Sequence, residues 1–150
     1  MPVQHEGNSQ GSDEEIEVIQ QIVKELSRAK IFRKNDTESF SLKNCLFVAP
    51  YNLQVGKIKS ALGDAVKAGS VDLFQGQEAD IVILSMCSSD GEVSPRGLDF
   101  LLNKNRMNVA ISRAKSLAIV VGSERLVESR AKTIKSMALL NLFCRLIEVG

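Results

Sequence analysis

At 150 residues the chain has the length of one domain and enough material to bury roughly two-thirds of its unfolded surface. Its composition is ordinary for a folded protein: 44% hydrophobic, 25% charged, with no tryptophan. Lys+Arg (19) against Asp+Glu (18) leave a formal net charge of +1, which excludes a strongly basic nucleic-acid-coating protein and an acidic disordered tail, while a local basic groove stays open.

Residues 1–11 (MPVQHEGNSQG) are polar and Gly-containing and read as a linker, so the domain proper is expected over 12–150. Ser12 and Glu15 have capping-box spacing, and Ile16, Ile19, Val23 and Leu26 follow at helical intervals, predicting a helix over 13–30. Asp13, Glu14, Glu15 and Glu17 then sit at its positive end, where the helix dipole favours them. A polar stretch over 33–44 leads into Cys45–Ala49, an apolar run stopped by Pro50, which reads as a strand buried on both faces. Residues 51–62 read as a helix with Val55, Ile58 and Leu62 on one face. Further strands are expected over 65–73, 81–84 and 117–121, with a helix around 105–115 before the last. The C-terminal stretch 131–147 reads as a helix with Ile134, Met137, Cys144 and Ile147 facing inward.

Strands without alternation, separated by helices, predict an α/β fold with a mainly parallel sheet covered on both faces. Ligands of such open sheets sit outside the carboxyl ends of the strands, which directs attention to Pro50-Tyr51, Gln75-Gly76 and Ser85-Met86. No apolar run approaches the ~20 residues of a membrane helix and no secretory h-region opens the chain, so a soluble cytoplasmic domain without a membrane partner is expected. Cys45, Cys87 and Cys144 are odd in number and far apart, which argues against disulfides or zinc and for buried thiols. His5 is the only histidine, so a Ser-His or Cys-His nucleophile would rest on that one residue; the pattern argues against it.

Three segments carry chemistry. The first, Ala49-Pro50-Tyr51-Asn52-Leu53-Gln54, ends the first buried strand. The second runs from Gly69 through Ser70, Gln75, Gly76 and Glu78; here Gly76 permits close backbone approach, and amide and carboxylate groups can meet sugar hydroxyls or phosphates. A solvated connector between strands explains that loop equally well. The third is Asn105 to Lys115, in which Arg106 and Arg113 lie seven apart on nearly one helix face. Two guanidinium groups beside a polar loop suit phosphate recognition, although ordinary surface ion pairs are the plain alternative.

Taken together and in this order, VAPYNLQV, SVDLFQGQEADIVILS and NRMNVAISRAK closely resemble motifs IV, V and VI of superfamily 1 helicases of the Upf-like branch, over about residues 45–122. HEGNSQ and PRGLDFLLNKNRMNVAISRA further resemble the C-terminal end of bacterial RecB-like nuclease–helicase fusions.

The family resemblance implies a RecA-like three-layer α/β/α domain, the second of two, with ATP held between the pair and single-stranded nucleic acid crossing both. DNA is favoured over RNA on this reading. The chain contains no G-x-x-x-x-G-K-[ST] and no acidic Walker B segment, so ATP and Mg2+ are expected mainly on a first RecA-like domain of the same polypeptide, and this chain alone is expected to be inactive. By position in the motifs, Arg113 is implied as an arginine finger on the γ-phosphate. Glu78, with Gly76, Gln75 and Arg106, is implied in nucleotide contact. Ser70, Tyr51 and Gln54 are implied on the nucleic-acid track, where Tyr51 either packs beneath the site or stacks on a base. The alternative of a different class is a non-catalytic nucleotide- or nucleic-acid-binding regulatory module on the same fold. A stand-alone Rossmann-like nucleotide binder lacks the Gly-rich loop it needs after the first strand.

Overall fold

A computed structural model describes residues 1–33 and 36–149. Its centre is the run Cys45–Val48, β4, in which all four residues are buried. Such a run suits a strand covered on both faces, and the covering is visible residue by residue. Leu46 and Val48 pack into one core with Val82, Leu84, Met107, Ala110, Leu139, Leu140 and Phe143. Cys45 and Phe47 pack into another with Ile16, Ile19, Ile22, Ile58, Ile81 and Ile83. The two-residue period of a strand divides the apolar residues between the layers.

The main sheet has five strands in the order β1-β7-β6-β4-β5, formed by Pro2–Val3, Ala114–Ser123, Ala79–Ser85, Cys45–Val48 and Ala68–Gly69. Every pairing in it is parallel. Helices α1 (Asp13–Leu26) and α2 (Asn52–Leu62) cover one face; α3 (Leu98–Leu101), α4 (Lys104–Ser112) and α5 (Ile134–Val149) cover the other. This is the expected three-layer α/β arrangement.

Four expectations need correcting. Residues 1–11 are not a free linker: Pro2 and Val3 pair with Gly122 and Ser123 of β7, and His5 is buried. The polar stretch over 33–44, of which residues 34–35 lie outside the described residues, contributes to an antiparallel hairpin of β2 (Lys30–Arg33) and β3 (Asp36–Ser39). The strand expected over 65–73 shrinks to Ala68–Gly69, because Val71–Phe74 coils into a 3-10 turn. In α5 the inward residues are Leu139, Leu140 and Phe143, while Ile134 (88% exposed), Met137 and Ile147 face outward. The inward positions follow the i, i+1, i+4 pattern of a helix lying on a sheet, and the outward ones are apolar as well, so periodicity does not separate the two faces.

Candidate functional site

Register fixes where the motifs lie. Val48 and Leu84 stand level near the carboxyl edge of the sheet, and Gly69 beside Val48, so Ser70 leaves at that edge. Ala79 and Ala114 stand level at the opposite, amino edge, so Glu78 and Arg113 arrive there. The six steps of β6 from Ala79 to Ser85 separate the two edges by about 20 Å. The residues gathered by one resemblance therefore form two groups, and only Pro50-Tyr51 and Ser85-Met86 keep the carboxyl-edge position expected of all three pairs.

Segment 70–78 crosses between the edges by way of a tight turn. Gln75 (φ −59°, ψ 122°) and Gly76 (φ 80°) are its central residues, and Gln77 N–H donates to the Phe74 carbonyl at 3.0 Å. This is a type II turn, whose third position needs a positive φ, and that is the reason for glycine at 76. Gln75, Gly76 and Glu78 are all exposed.

At the amino edge, Arg113 caps the C-terminus of α4. Its carbonyl accepts the Ala79 N–H at 3.0 Å, joining the end of the helix to the first residue of β6. Its Nε donates to the Val109 carbonyl at 3.2 Å, which leaves the terminal nitrogens Nη1 and Nη2 without a partner among the described residues. Glu78 forms an exposed ion pair with Lys115 at 3.6 Å, a contact of small energetic weight.

At the carboxyl edge, Ser70, Asp72 and Arg106 line one shallow concavity with Pro50, Phe100 and Met107. Arg106 Nη2 lies 3.4 Å from Asp72 Oδ2. Arg106 thus belongs with Ser70 and not with the nucleotide candidates Glu78 and Arg113, although all three were expected together.

Two further candidates are buried. Gln54 is 0% exposed: its Oε1 accepts the Ser12 N–H, and its Nε2 donates to Ser85 Oγ at 2.9 Å and to the Ser12 carbonyl. It joins α2 to α1 and β6 and presents nothing to a strand. Tyr51 is 7% exposed, its hydroxyl 2.6 Å from Ser94 Oγ and its ring centroid 5.5 Å from that of Phe100. That placement removes base stacking and leaves packing beneath the carboxyl edge.

The sequence reading missed a buried polar chain at the same edge. His5 Nδ1 lies 2.8 Å from Ser89 Oγ and His5 Nε2 3.0 Å from Glu15 Oε1, while Glu15 also accepts from Ser85 Oγ and, at 2.9 Å, from Cys87 N–H. A Ser–His–carboxylate order is that of an acyl-transfer nucleophile. Here Ser89 is 0% exposed and its Oγ accepts the Asn8 N–H, so no substrate reaches it and the chain is structural. Its one sequence signal is Glu15, which caps by spacing. Ser12 does accept the Glu15 N–H, but the Glu15 carboxylate turns inward rather than back to the Ser12 amide.

The environment of the thiols is equally inert. Burial, with the Asp80 charge adding to it, pushes the Cys45 thiol up to about 12, and burial with the Glu15 charge raises Cys87 as well. All three cysteines are free. Among the described residues no group of three or more His, Cys, Asp or Glu is placed to hold a metal, and no helix is long and apolar enough to cross a membrane.

A family model described as an AAA domain matches residues 2–125. The chain is 34% identical over 125 residues to the chicken (Gallus gallus) putative helicase MOV-10, covering 73% of this chain and 13% of that protein. It is 36% identical over 100 residues to the mouse (Mus musculus) RNA helicase Mov10l1, covering 62% and 8%. To the fission-yeast (Schizosaccharomyces pombe) ATP-dependent helicase upf1 it is 35% identical over 85 residues, covering 57% and 9%. The chain thus spans about a tenth of the length of these curated relatives. They give no support to a RecB-like nuclease fusion, and with the mouse relative named an RNA helicase and a fission-yeast relative named a DNA polymerase alpha-associated DNA helicase the relatives favour neither polymer. The parallel sheet, the motif order along it and the match over residues 2–125 agree: the chain belongs to the AAA domain family, as a domain of the Upf-like superfamily 1 helicase kind.

Proposed function

We propose that the chain is the second RecA-like domain of an ATP-dependent superfamily 1 translocase, and that Arg113 is the guanidinium it lends to a nucleotide held mainly by a partner domain. The observation that carries this reading is the half-anchored Arg113: Nε is fixed on the Val109 carbonyl, while the four N–H donors of Nη1 and Nη2 have no partner among the described residues. A finger needs that combination of a fixed stem and a free fork, because its task is to meet charge that develops on a transferring phosphoryl group.

ATP, when bound, supplies the driving force of phosphoryl transfer. The residues here suit its outer end only. Arg113 fits a γ-phosphate, and the exposed Gln75–Glu78 turn fits the rim of a nucleotide. No phosphate-cradling loop motif is present in the sequence, and no group of three or more His, Cys, Asp or Glu is placed to hold a metal among the described residues. Arg113 closes on the partner's phosphate site and releases as the interdomain cleft opens, while the opposite edge holds single-stranded nucleic acid through Ser70.

In the full-length polypeptide, Arg113→Ala is expected to lower strand-stimulated ATP turnover by about 10³-fold or more, with an unchanged circular dichroism spectrum and strand affinity within about twofold of the parent. Steady-state phosphate release with single-stranded RNA and with DNA checks it and shows which polymer is preferred. Undiminished turnover overturns the assignment.

A further inference from the structure

Phe100, on α3, carries two cations. The guanidinium carbon of Arg96 lies 3.7 Å from its ring centroid and that of Arg106 4.5 Å. Arg96 is exposed and has no ion-pair partner among the described residues. Arg106 has one, Asp72, at 3.4 Å with its carboxylate largely exposed. Asp99, next to Phe100 in the chain, is engaged elsewhere: it accepts from Ser136 Oγ at 2.6 Å and lies 3.9 Å from Lys135 Nζ. Beside this cluster, Ser70 Oγ has no partner among the described residues.

The concavity that Ser70, Phe100 and Arg106 share encloses only about 30 Å³, room for about one water. No mononucleotide enters it. A ligand engaging both guanidinium groups and the hydroxyl lies across the surface, carries negative charge at intervals and offers flat faces to stack on guanidinium or ring. Single-stranded nucleic acid has that chemistry.

Resting on the reading above, we propose that Arg96, Phe100 and Arg106 form a contact site for single-stranded nucleic acid at the carboxyl edge. Arg96 and Arg106 bind phosphate or stack on a base, and Phe100 acts as the platform that positions both. Asp72 holds Arg106 until a phosphate replaces it.

The test is fluorescence-anisotropy titration of the chain with labelled 12-nucleotide oligo-U and oligo-dT over a series of salt concentrations. Arg96→Ala is the lead variant, because its side chain is exposed and its loss leaves the core intact. It is expected to weaken binding about fivefold or more and to reduce the slope of log affinity against log salt by about 0.7, one phosphate contact on a single strand. Arg96→Lys keeps the slope but not the stacking, so it falls between parent and Ala variant in affinity. Phe100→Leu weakens binding with the slope unchanged, and Asp72→Asn strengthens binding at low salt. Affinity and slope unchanged in Arg96→Ala and Arg106→Ala overturn the site while leaving the translocase reading intact. A chain that binds neither oligonucleotide overturns the site, and full turnover in Arg113→Ala separately overturns the translocase reading.

Discussion

Glu15 accepts from three donors in the interior: His5 Nε2, Ser85 Oγ and the Cys87 N–H. That last bond has its own conformational demand, because Cys87 reaches it with φ 52°, a left-handed conformation costly for a residue with a β-carbon. One assignment closes the chain without a loose end: Ser89 accepts the Asn8 N–H and gives its own proton to His5 Nδ1, leaving Nε2 to donate to Glu15. Glu15→Ala strands three buried donors and is expected to cost about 3–5 kcal/mol, read as a lower urea midpoint. Glu15→Gln keeps one acceptor oxygen and is expected to cost less.

The thiols give a second measurement at this scale. Cys45 and Cys87 are 0% exposed and Cys144 is half-buried, so a thiol reagent at pH 8 is expected to label at most Cys144 in the folded protein and all three cysteines in urea. For pH, the raised folded-state values set the sign. The unfolded Cys45 thiol loses its proton near 9 while the folded one holds it to about 12. The stability it contributes is therefore complete below pH 9 and declines as pH rises toward 12. Urea midpoints at pH 8 and pH 10.5 are expected to fall in that order, and a rise would contradict the burial of the thiol.

Among the elements, those with a strong pattern were legible and those whose form depends on a neighbour were not. The unbroken apolar runs of β4 and β6 and the motif spacing along α4 gave the parallel sheet and the order of its layers. The strand at Pro2–Val3 carries no pattern of its own; it exists because the outer side of Gly122–Ser123 offers a ladder to a passing chain. Gln54 reads as a polar residue beside a conspicuous tyrosine, and only the positions of Ser12 and Ser85 reveal that both ends of its amide are used inside. Arg106 and Arg113 share a helix face, yet a helix face runs between the edges of a sheet, and spacing cannot say which end each long side chain serves. The face of α5 was misread because it is apolar nearly all round. Phe143→Ala is expected to cost about 3–5 kcal/mol, as a buried ring replaced by a cavity, whereas Ile134→Glu is expected to stay within about 0.5 kcal/mol; thermal or urea unfolding checks both.

For the whole molecule, the consequence of interest is the separation of tasks. The candidates for nucleotide contact, Arg113 and Glu78, sit at the start of β7 and β6; the candidates for strand contact, Ser70 and Arg106, line the concavity at the other end. Two ligands so placed do not touch, so any influence of one on the other passes through the protein between them. β6 is that connection, and all seven of its residues are buried. It is hydrogen-bonded on both sides, to β4 and to β7, and packed above and below by the two cores. Interiors packed to this density yield little under load.

The Ala79 N–H, held by the Arg113 carbonyl, is where the backbone of the proposed finger is bolted to this strand. On the proposed reading, a pull on Arg113 is passed along this buried, doubly paired strand toward the far edge. On the proposed translocase reading, the hinge belongs outside this body.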